Sequence, residues 1–399
     1  MGGRAADRVL VVAFVGVLAL PAALLVAGRG SGDGGERRPL APAPAWPADV
    51  DALARLPAQT EAWFNDHFGL RTALVRAHRR LAVQWLGAPP AERAEGGLAD
   101  AALGNLSRKV LVGRDGWLFL SGRGRLESWR RVRAFTPEDL DGLARLLAAR
   151  RDWCAARGIA YVFVVAPDKH SVYPEHMPAS LVPLRPESQL DQLVRHLDGT
   201  ADGPLLDLRP ALRAAKALGA VYPRTDTHWS DLGAWAATDA ILARLRPRFP
   251  ALAPPPLASY ERREQDGPGG DLAGLLGLAD VLREPTVRLV PARPRRAVVV
   301  ERHPESACPE AVWRVTEVAD PALPTALVFH DSFAFALTRF LAEHFRRAAW
   351  HLYRPFDPAL VERERPDVVI DELAERSLVS LQRKRPGEGA LALPVAFDR

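Results

Sequence analysis

Hydrophobic and polar positions change their period several times along this chain, and each change marks an element. Val9 to Ala27 is almost continuously apolar over nineteen residues, enough for a helix to cross a bilayer. Residues 28–47 are rich in Gly, Arg and Pro and read as a flexible linker that stiffens toward its end. From 50 to 86 the apolar residues recur at helical spacing. Trp63, Phe64, Phe68, Leu70, Leu74 and Leu81 surround Asn65, Asp66 and His67, which predicts an amphipathic helix with a turn near Gly69. Residues 87–100 read as loop. At 110–120 the order is strand, turn, strand, and Asp115-Gly116 suits a tight hairpin. Thr136-Pro137-Glu138-Asp139 opens a helix over 137–157, which Gly158 closes. Residues 159–166 then form an unbroken apolar run, typical of a buried parallel strand, ending in Pro167-Asp168-Lys169.

The alternation continues with a helix over 187–198, a strand over 204–208 and a helix over 210–218. A further helix over 231–246 is capped by Ser230 and buries Leu232, Trp235, Ile241, Leu242 and Leu245. Residues 247–325 read as an irregular, Pro-rich insert with short strands at 297–301 and 311–316. Strand 325–330, helix 332–345, strand 348–353 and strand 366–371 follow, the last running into a helix over 372–383. Short apolar strands alternating with helices predict a three-layer α/β/α sandwich on a mostly parallel sheet. One catalytic domain is expected over 48–385, between the apolar helix and a tail at 386–399. In such sheets the active residues gather at the carboxyl ends of the strands. That edge would carry Lys169, Ser332, Glu372 and the loop holding Asp226 and His228.

Composition narrows the function classes. The chain of 399 residues carries a net charge of +5, which invites a nucleic-acid reading. Only four of its 53 basic residues are lysine, however, and the arginines are spread throughout. No basic stripe results, and no nucleic-acid partner is expected. Cys154 and Cys308 allow one disulfide at most, and no Cys/His cluster has zinc spacing. Arg4 and Arg8 precede the apolar run, as the positive-inside rule requires of a cytoplasmic N-terminus. An uncleaved single-pass anchor is preferred to a cleaved signal peptide. Either one puts the remainder in the periplasm or outside the cell.

Two polar segments carry the candidate chemistry: Asp226-Thr227-His228-Trp229-Ser230, and Phe329-His330-Asp331-Ser332-Phe333 at the end of a strand. A serine hydroxyl is a poor nucleophile until an imidazole takes its proton, and a carboxylate must orient the imidazole. Ser332, His228 and Asp226 fit those three roles. Simpler readings exist for each: a helix N-cap for Ser332, a structural histidine, and an Asx-turn aspartate. A serine at a helix N-terminus also lies beside free backbone N–H groups that stabilise an oxyanion, so Ser332 is the oxyanion candidate as well. Lys169, Tyr173, Trp229 and Arg376 are candidate substrate contacts. Against that, Lys169 and Tyr173 could simply close a strand, Trp229 and Trp117 pack, and Arg376 pair with Glu372 four residues earlier on a helix. Asp115 and Asp271 read as turn residues. A metal site from Asp226, His228, His330 and Asp331 explains fewer residues than the serine reading.

These segments resemble the SGNH hydrolases, whose serine ends the first strand in a Gly-Asp-Ser motif and whose aspartate and histidine come late. Here the pieces stand in circularly permuted order: Asp331-Ser332, then strands like the next two, with 159–169, 204–208 and the Asp226–His228 loop ahead of them. That order is similar to the polysaccharide O-acetyltransferases of the alginate-acetylation family, AlgJ and AlgX. The supporting segments are FNDHFGLR (64–71), GRDGWLF (113–119), PDKHSVYPE (167–175), DTHWSDLGA (226–234), GGDL (269–272), DSF (331–333) and VVIDELAER (368–376). His330 departs from the pattern, standing where the hydrolases have Gly. The resemblance implies an anchored O-acetyltransferase that forms an acetyl ester on Ser332 and passes it to an extracytoplasmic polysaccharide. It also implies a membrane-bound O-acyltransferase partner that supplies the acetyl group, and it invokes neither metal nor cofactor. A secreted carbohydrate esterase with the same three residues, and a non-catalytic scaffold of an export complex, are the alternatives.

Overall fold

The computed structural model describes residues 3–27, 40–84, 109–122, 125–197, 203–305, 308–352 and 355–382. Most of the expected linker, the loop at 87–100 and the tail at 386–399 lie outside these. The chain forms two compact units, Met1–Val112 with Pro268–Arg283 and Gly113–Gly267 with Glu284–Arg399. The expected boundary near residue 48 therefore moves, because residues 50–84 group with the apolar helix.

In the first unit α1 (Gly3–Val26) is long and apolar enough to cross a membrane over Asp7–Val26. α2 (Val50–His67) starts where the Asp49 carboxylate accepts the Ala52 N–H. α3 (Arg71–Gln84) follows a sharp corner at Phe68-Gly69-Leu70, the turn that the periodicity predicts. β1 (Val110–Val112) is fully buried.

The second unit opens with a turn at Arg114–Gly116, where Asp115 and Gly116 both take positive φ and the Gly113 N–H meets the Trp117 carbonyl at 2.7 Å. Asp-Gly tolerates that left-handed conformation, so the turn was readable in advance. β2 (Leu118–Leu120) follows. α4 (Pro137–Ala155) begins with a reciprocal box: Thr136 Oγ accepts the Asp139 N–H, and Asp139 accepts the Thr136 N–H. Then come β3 (Ala160–Ala166), α5 (Gln189–Leu197), β4 (Leu205–Asp207), α6 (Asp231–Leu245), β5 (Tyr260–Gly267), β6 (Glu284–Pro291), β7 (Val298–Glu305), β8 (Cys308–Glu317), β9 (Thr325–His330), α7 (Ala334–Leu341), β10 (Arg347–Leu352), α8 (Pro358–Glu364) and β11 (Val368–Ala374).

Seven of these strands make one mixed sheet in the order β4-β3-β11-β9-β10-β8-β7. The first five run parallel, with Val368 opposite both Ala160 and Ala326, and Thr325 opposite Arg347. β8 and β7 add an antiparallel edge. Parallel strands share one carboxyl edge, so the ends of β3, β11 and β9 deliver Lys169, Arg376 and Ser332 to the same side. The core beneath α4 includes Leu143, Leu147, Phe163, Phe329 and Val369. Burying such side chains contributes roughly 1.5–3 kcal/mol each.

Two expectations are corrected. The insert at 247–325 is not irregular: β5 and β6 pair along their whole length, Tyr260 opposite Pro291 and Gly267 opposite Glu284, and β7 and β8 join the main sheet. β5 reads YERREQDG and is exposed on both faces, so its ladder leaves no apolar alternation in the sequence. Second, β11 runs on to Ala374, and the 3-10 turns of Glu375–Gln382 replace the expected helix from 372. Glu372 and Arg376 are thus not helix neighbours. The helix-forming sequence is overridden by the ladder to β3, which extends to Ala374 opposite Ala166. Cys154 is a free, buried thiol on α4, its pKa pushed up to about 12 mainly by burial.

One buried ion pair crosses this core. Arg150 is wholly buried, donates to Asp371 at 2.6 Å and lies over the Phe356 ring, while Tyr161 donates to the same carboxylate at 2.9 Å. Removing one partner strands the other in low dielectric. Arg150→Met should therefore cost about 3–5 kcal/mol, read as a lowered urea midpoint of the unfolding transition. A loss under about 1 kcal/mol would show that the core does not lean on this pair.

Candidate active site

β9 emerges at the sheet edge and turns sharply at Asp331-Ser332-Phe333 before α7. The Asp331 carboxylate makes the turn: one oxygen accepts the Phe333 N–H and the other the Ala374 N–H of β11, each at 2.9 Å. The Asp331 N–H in turn donates to Glu372 at 3.0 Å. Glu372 is buried, and burial followed by the nearby Asp331 charge raises its pKa well above the usual carboxylate range. Ser332 is left partly exposed, and its own N–H has no acceptor among the described residues.

The second segment approaches from the loop ahead of α6. Lys169 is buried, and its ammonium donates to the carbonyls of Pro223, Arg224 and Asp226, each at 2.8 Å. Buried Glu284, at the start of β6, accepts the Thr225 N–H at 3.1 Å. Held between them, Asp226 Oδ1 meets both the backbone N–H of His228, at 2.8 Å, and its Nδ1, at 3.0 Å. A carboxylate only accepts, so Nδ1 carries a proton. Nε2 then offers its lone pair to the Ser332 hydroxyl at 2.9 Å. Nucleophile, base and orienting carboxylate thus form one hydrogen-bonded chain, with His228 and Asp226 about one-third exposed.

The four expected substrate contacts each bond or pack within the protein. Lys169 is spent on loop carbonyls. Tyr173 is buried, stacks on Trp117 and accepts the Val221 N–H at 3.0 Å. Trp229 is buried; its Nε1–H donates to the Phe333 carbonyl at 3.0 Å and its ring meets the Phe333 ring edge-on. Arg376 donates to Asp168 at 2.8 Å and lies over the Phe333 ring. Each of the four therefore braces one of the two segments that meet at Ser332 and His228.

The metal alternative also loses two of its members. Asp331 is committed to backbone N–H groups. His330 is buried between Phe335 and Trp350, and its Nδ1–H donates to the Asp331 carbonyl at 2.8 Å. Burial pulls its pKa down to about 4.

Sequence reasoning placed Glu372 on this edge without a role and missed Glu284, Asp168 and Asp231. Asp231 is buried at the start of α6, where it accepts the Leu289 N–H at 3.0 Å and pairs with Arg288 and Arg339. Two acidic residues directly after the apolar Val368-Val369-Ile370 run were the available signal for Glu372; Glu284 and Asp231 gave none.

Residues 110–307 match the family described as SGNH hydrolase-like domain, acetyltransferase AlgX. That match includes Lys169, Asp226 and His228 and ends before Ser332. A curated relative named probable alginate O-acetylase AlgJ, from Pseudomonas aeruginosa, is 32% identical over 229 residues, 54% of this chain and 48% of that protein. A protein of the same name from Pseudomonas putida is 29% identical over 289 residues, 67% of this chain and 70% of that one. The chain thus spans about half the length of the first of these relatives. Among solved structures, Bacillus cereus PatB1 superposes with a TM-score of 0.50 at 14% identity, covering 67% of this chain and 94% of that one. That likeness concerns the fold alone, which is SGNH hydrolase-like.

Two outcomes follow from this geometry. Lys169→Met removes three charge-assisted bonds and should cost on the order of 2–4 kcal/mol, with amide exchange at 223–228 speeding up before the sheet opens. Unchanged exchange there would remove the clamp. His330 should be read by pH. Unfolded, it protonates near its ordinary 6.5; folded, only near 4. Between those values the unfolded chain binds the extra proton, so stability falls as pH falls. The wild type should lose up to about 3 kcal/mol relative to His330→Asn across that window. Parallel stability curves for the two proteins would refute this.

Proposed function

Because residues 110–307 match the SGNH hydrolase-like domain of the AlgX acetyltransferase family, we propose that this chain is an O-acetyltransferase that esterifies hydroxyls of an extracytoplasmic polysaccharide. The observation that carries the reading is the unbroken chain from Asp226 through His228 to Ser332, at 3.0 and 2.9 Å. Ser332 Oγ attacks the carbonyl carbon of an acetyl donor while His228 Nε2 takes its proton. The tetrahedral oxyanion is held by the Ser332 N–H at the turn into α7. Collapse breaks the bond to the donor oxygen, which leaves with the proton from His228. A sugar hydroxyl then gives its proton to His228 and attacks the acetyl-serine, and the returning proton frees Ser332. Asp226 keeps the Nδ1 proton in place throughout and stabilises the imidazolium.

The relatives named for alginate acetylation support a polysaccharide acceptor. The apolar α1 behind Arg4 and Arg8 supports a retained anchor with the sheet unit outside the cytoplasm. Acetyl donors made in the cytoplasm do not cross a membrane unaided, so a membrane-bound O-acyltransferase is the fitting supplier.

The test is incubation of the full chain with a chromogenic acetyl ester and candidate glycans, followed by mass spectrometry of glycan and protein. Acetyl should appear on Ser332 and then on the glycan. Ser332→Ala should lower turnover about a thousandfold or more while folding is retained. Alanine at Asp226 or His228 should be severe alone and add little to Ser332→Ala. Activity should fall on the acid side as His228 gains its second proton. Near-normal turnover in folded Ser332→Ala would end the serine mechanism. Acetyl passing only to water would favour an esterase.

A further inference from the structure

The first unit carries a basic helix whose apolar stripe is exposed, and that helix is tied to the apolar anchor. At the α2–α3 corner the Gly69 N–H donates to the Pro21 carbonyl of α1 at 3.1 Å. A Cβ at Gly69 would lie 2.4 Å from Leu24 Cβ and 2.8 Å from the Pro21 oxygen, so only glycine permits the approach. The corner is braced: buried Asp66 accepts the Ala41 N–H at 2.8 Å and lies 3.8 Å from Arg71. Pro21 is five residues from the end of α1 at Val26, which at 1.5 Å per residue is about 7.5 Å. The start of α3 is thus held slightly inside the end of the apolar span.

α3 suits that depth. Leu74, Ala77 and Leu81 fall within an arc of about 60° at 100° per residue, with Leu70 immediately ahead of them. Leu74 and Leu81 are each 52% exposed and Leu70 is 37% exposed. Arg71 and Arg76 are paired with Asp66 and Asp280, Arg80 is exposed beside the stripe, and the helix has no acidic residue. Interfacial helices bury an apolar face roughly 5–10 Å deep while arginines reach the headgroups. The depth set by Pro21 lies within that range.

We propose that α3 lies in the bilayer interface, with Leu70, Leu74 and Leu81 in the acyl boundary and exposed Arg80 on anionic headgroups. The anchor and α3 together then fix the first unit against the membrane at two places. This rests on the reading of α1 as a retained anchor.

The full chain, with Cys308→Ser to leave only buried Cys154, is reconstituted into vesicles with and without anionic lipid. Single cysteines at Leu74, Leu81 and Thr72 carry an environment-sensitive dye, and quenching lipids bear nitroxides near the headgroup. Thr72 is exposed on the face opposite the leucines. Quenching at 74 and 81 should exceed that at 72 at least threefold, and anionic lipid should increase it. Gly69→Leu should abolish the difference while the chain stays in the vesicle. Carbonate extraction separates the two readings. A chain that is extracted fails as an anchor, and the docking fails with it. A chain that is retained with all three dyes in water overturns the docking alone.

Discussion

The chain of hydrogen bonds from Asp226 to Ser332 joins segments 104 residues apart, and it depends on one buried ammonium. Three carbonyls of the 223–226 loop converge on Lys169. A loop carrying unpaired carbonyls at a buried edge would be costly, and a cation with three donors satisfies all of them at once. Because Lys169 follows β3 directly, the loop inherits the position of the sheet. Glu284 secures the same loop at Thr225. The imidazole is therefore aimed by the strand that carries Lys169, without any contact from that strand to the imidazole itself.

The nucleophile side obeys the same rule with opposite charge. Asp331 satisfies two backbone N–H groups, one in its own turn and one on the neighbouring strand. Glu372 satisfies the Asp331 N–H, and burial followed by the Asp331 charge raises its pKa well above the usual carboxylate range. Further along, Glu375 accepts the Asp168 N–H, and burial raises its pKa to about 7. Asp168 is paired with Arg376, whose guanidinium lies over Phe333. Phe333 is also held by Trp229 through its carbonyl. Ser332 thus sits between two peptide groups that are each fixed, which limits the positions its hydroxyl can take and suits a group that must meet an imidazole at bonding distance.

The residues that a sequence reader assigns to substrate also brace the segments of Ser332 and His228. Lys169, Tyr173, Trp229 and Arg376 are polar or amphipathic and stand near the reactive residues in the chain, as substrate contacts also do. That bracing is a property of the packed edge. Ser332, His228 and Asp226 remain partly exposed at this edge.

The sequence by itself determined the local elements and the chemical triplet. The capping box at Thr136, the Asp115-Gly116 turn, the buried run at 159–166 and the apolar α1 are all set by interactions within a few residues, so they are legible from a few residues. Asp226, His228 and Ser332 were legible because their residue types have few other joint uses. Tertiary structure alone decided the rest. β5 has no apolar face and exists through its ladder to β6. β11 outran its helical sequence because β3 supplied hydrogen bonds as far as Ala374. Glu372, Glu284 and Asp231 became supports only when backbone N–H groups from distant segments reached them. Carboxylates and ammonium groups are read in a sequence as solvated charge, and only packing, by removing water, turns them into the fixed partners of buried backbone.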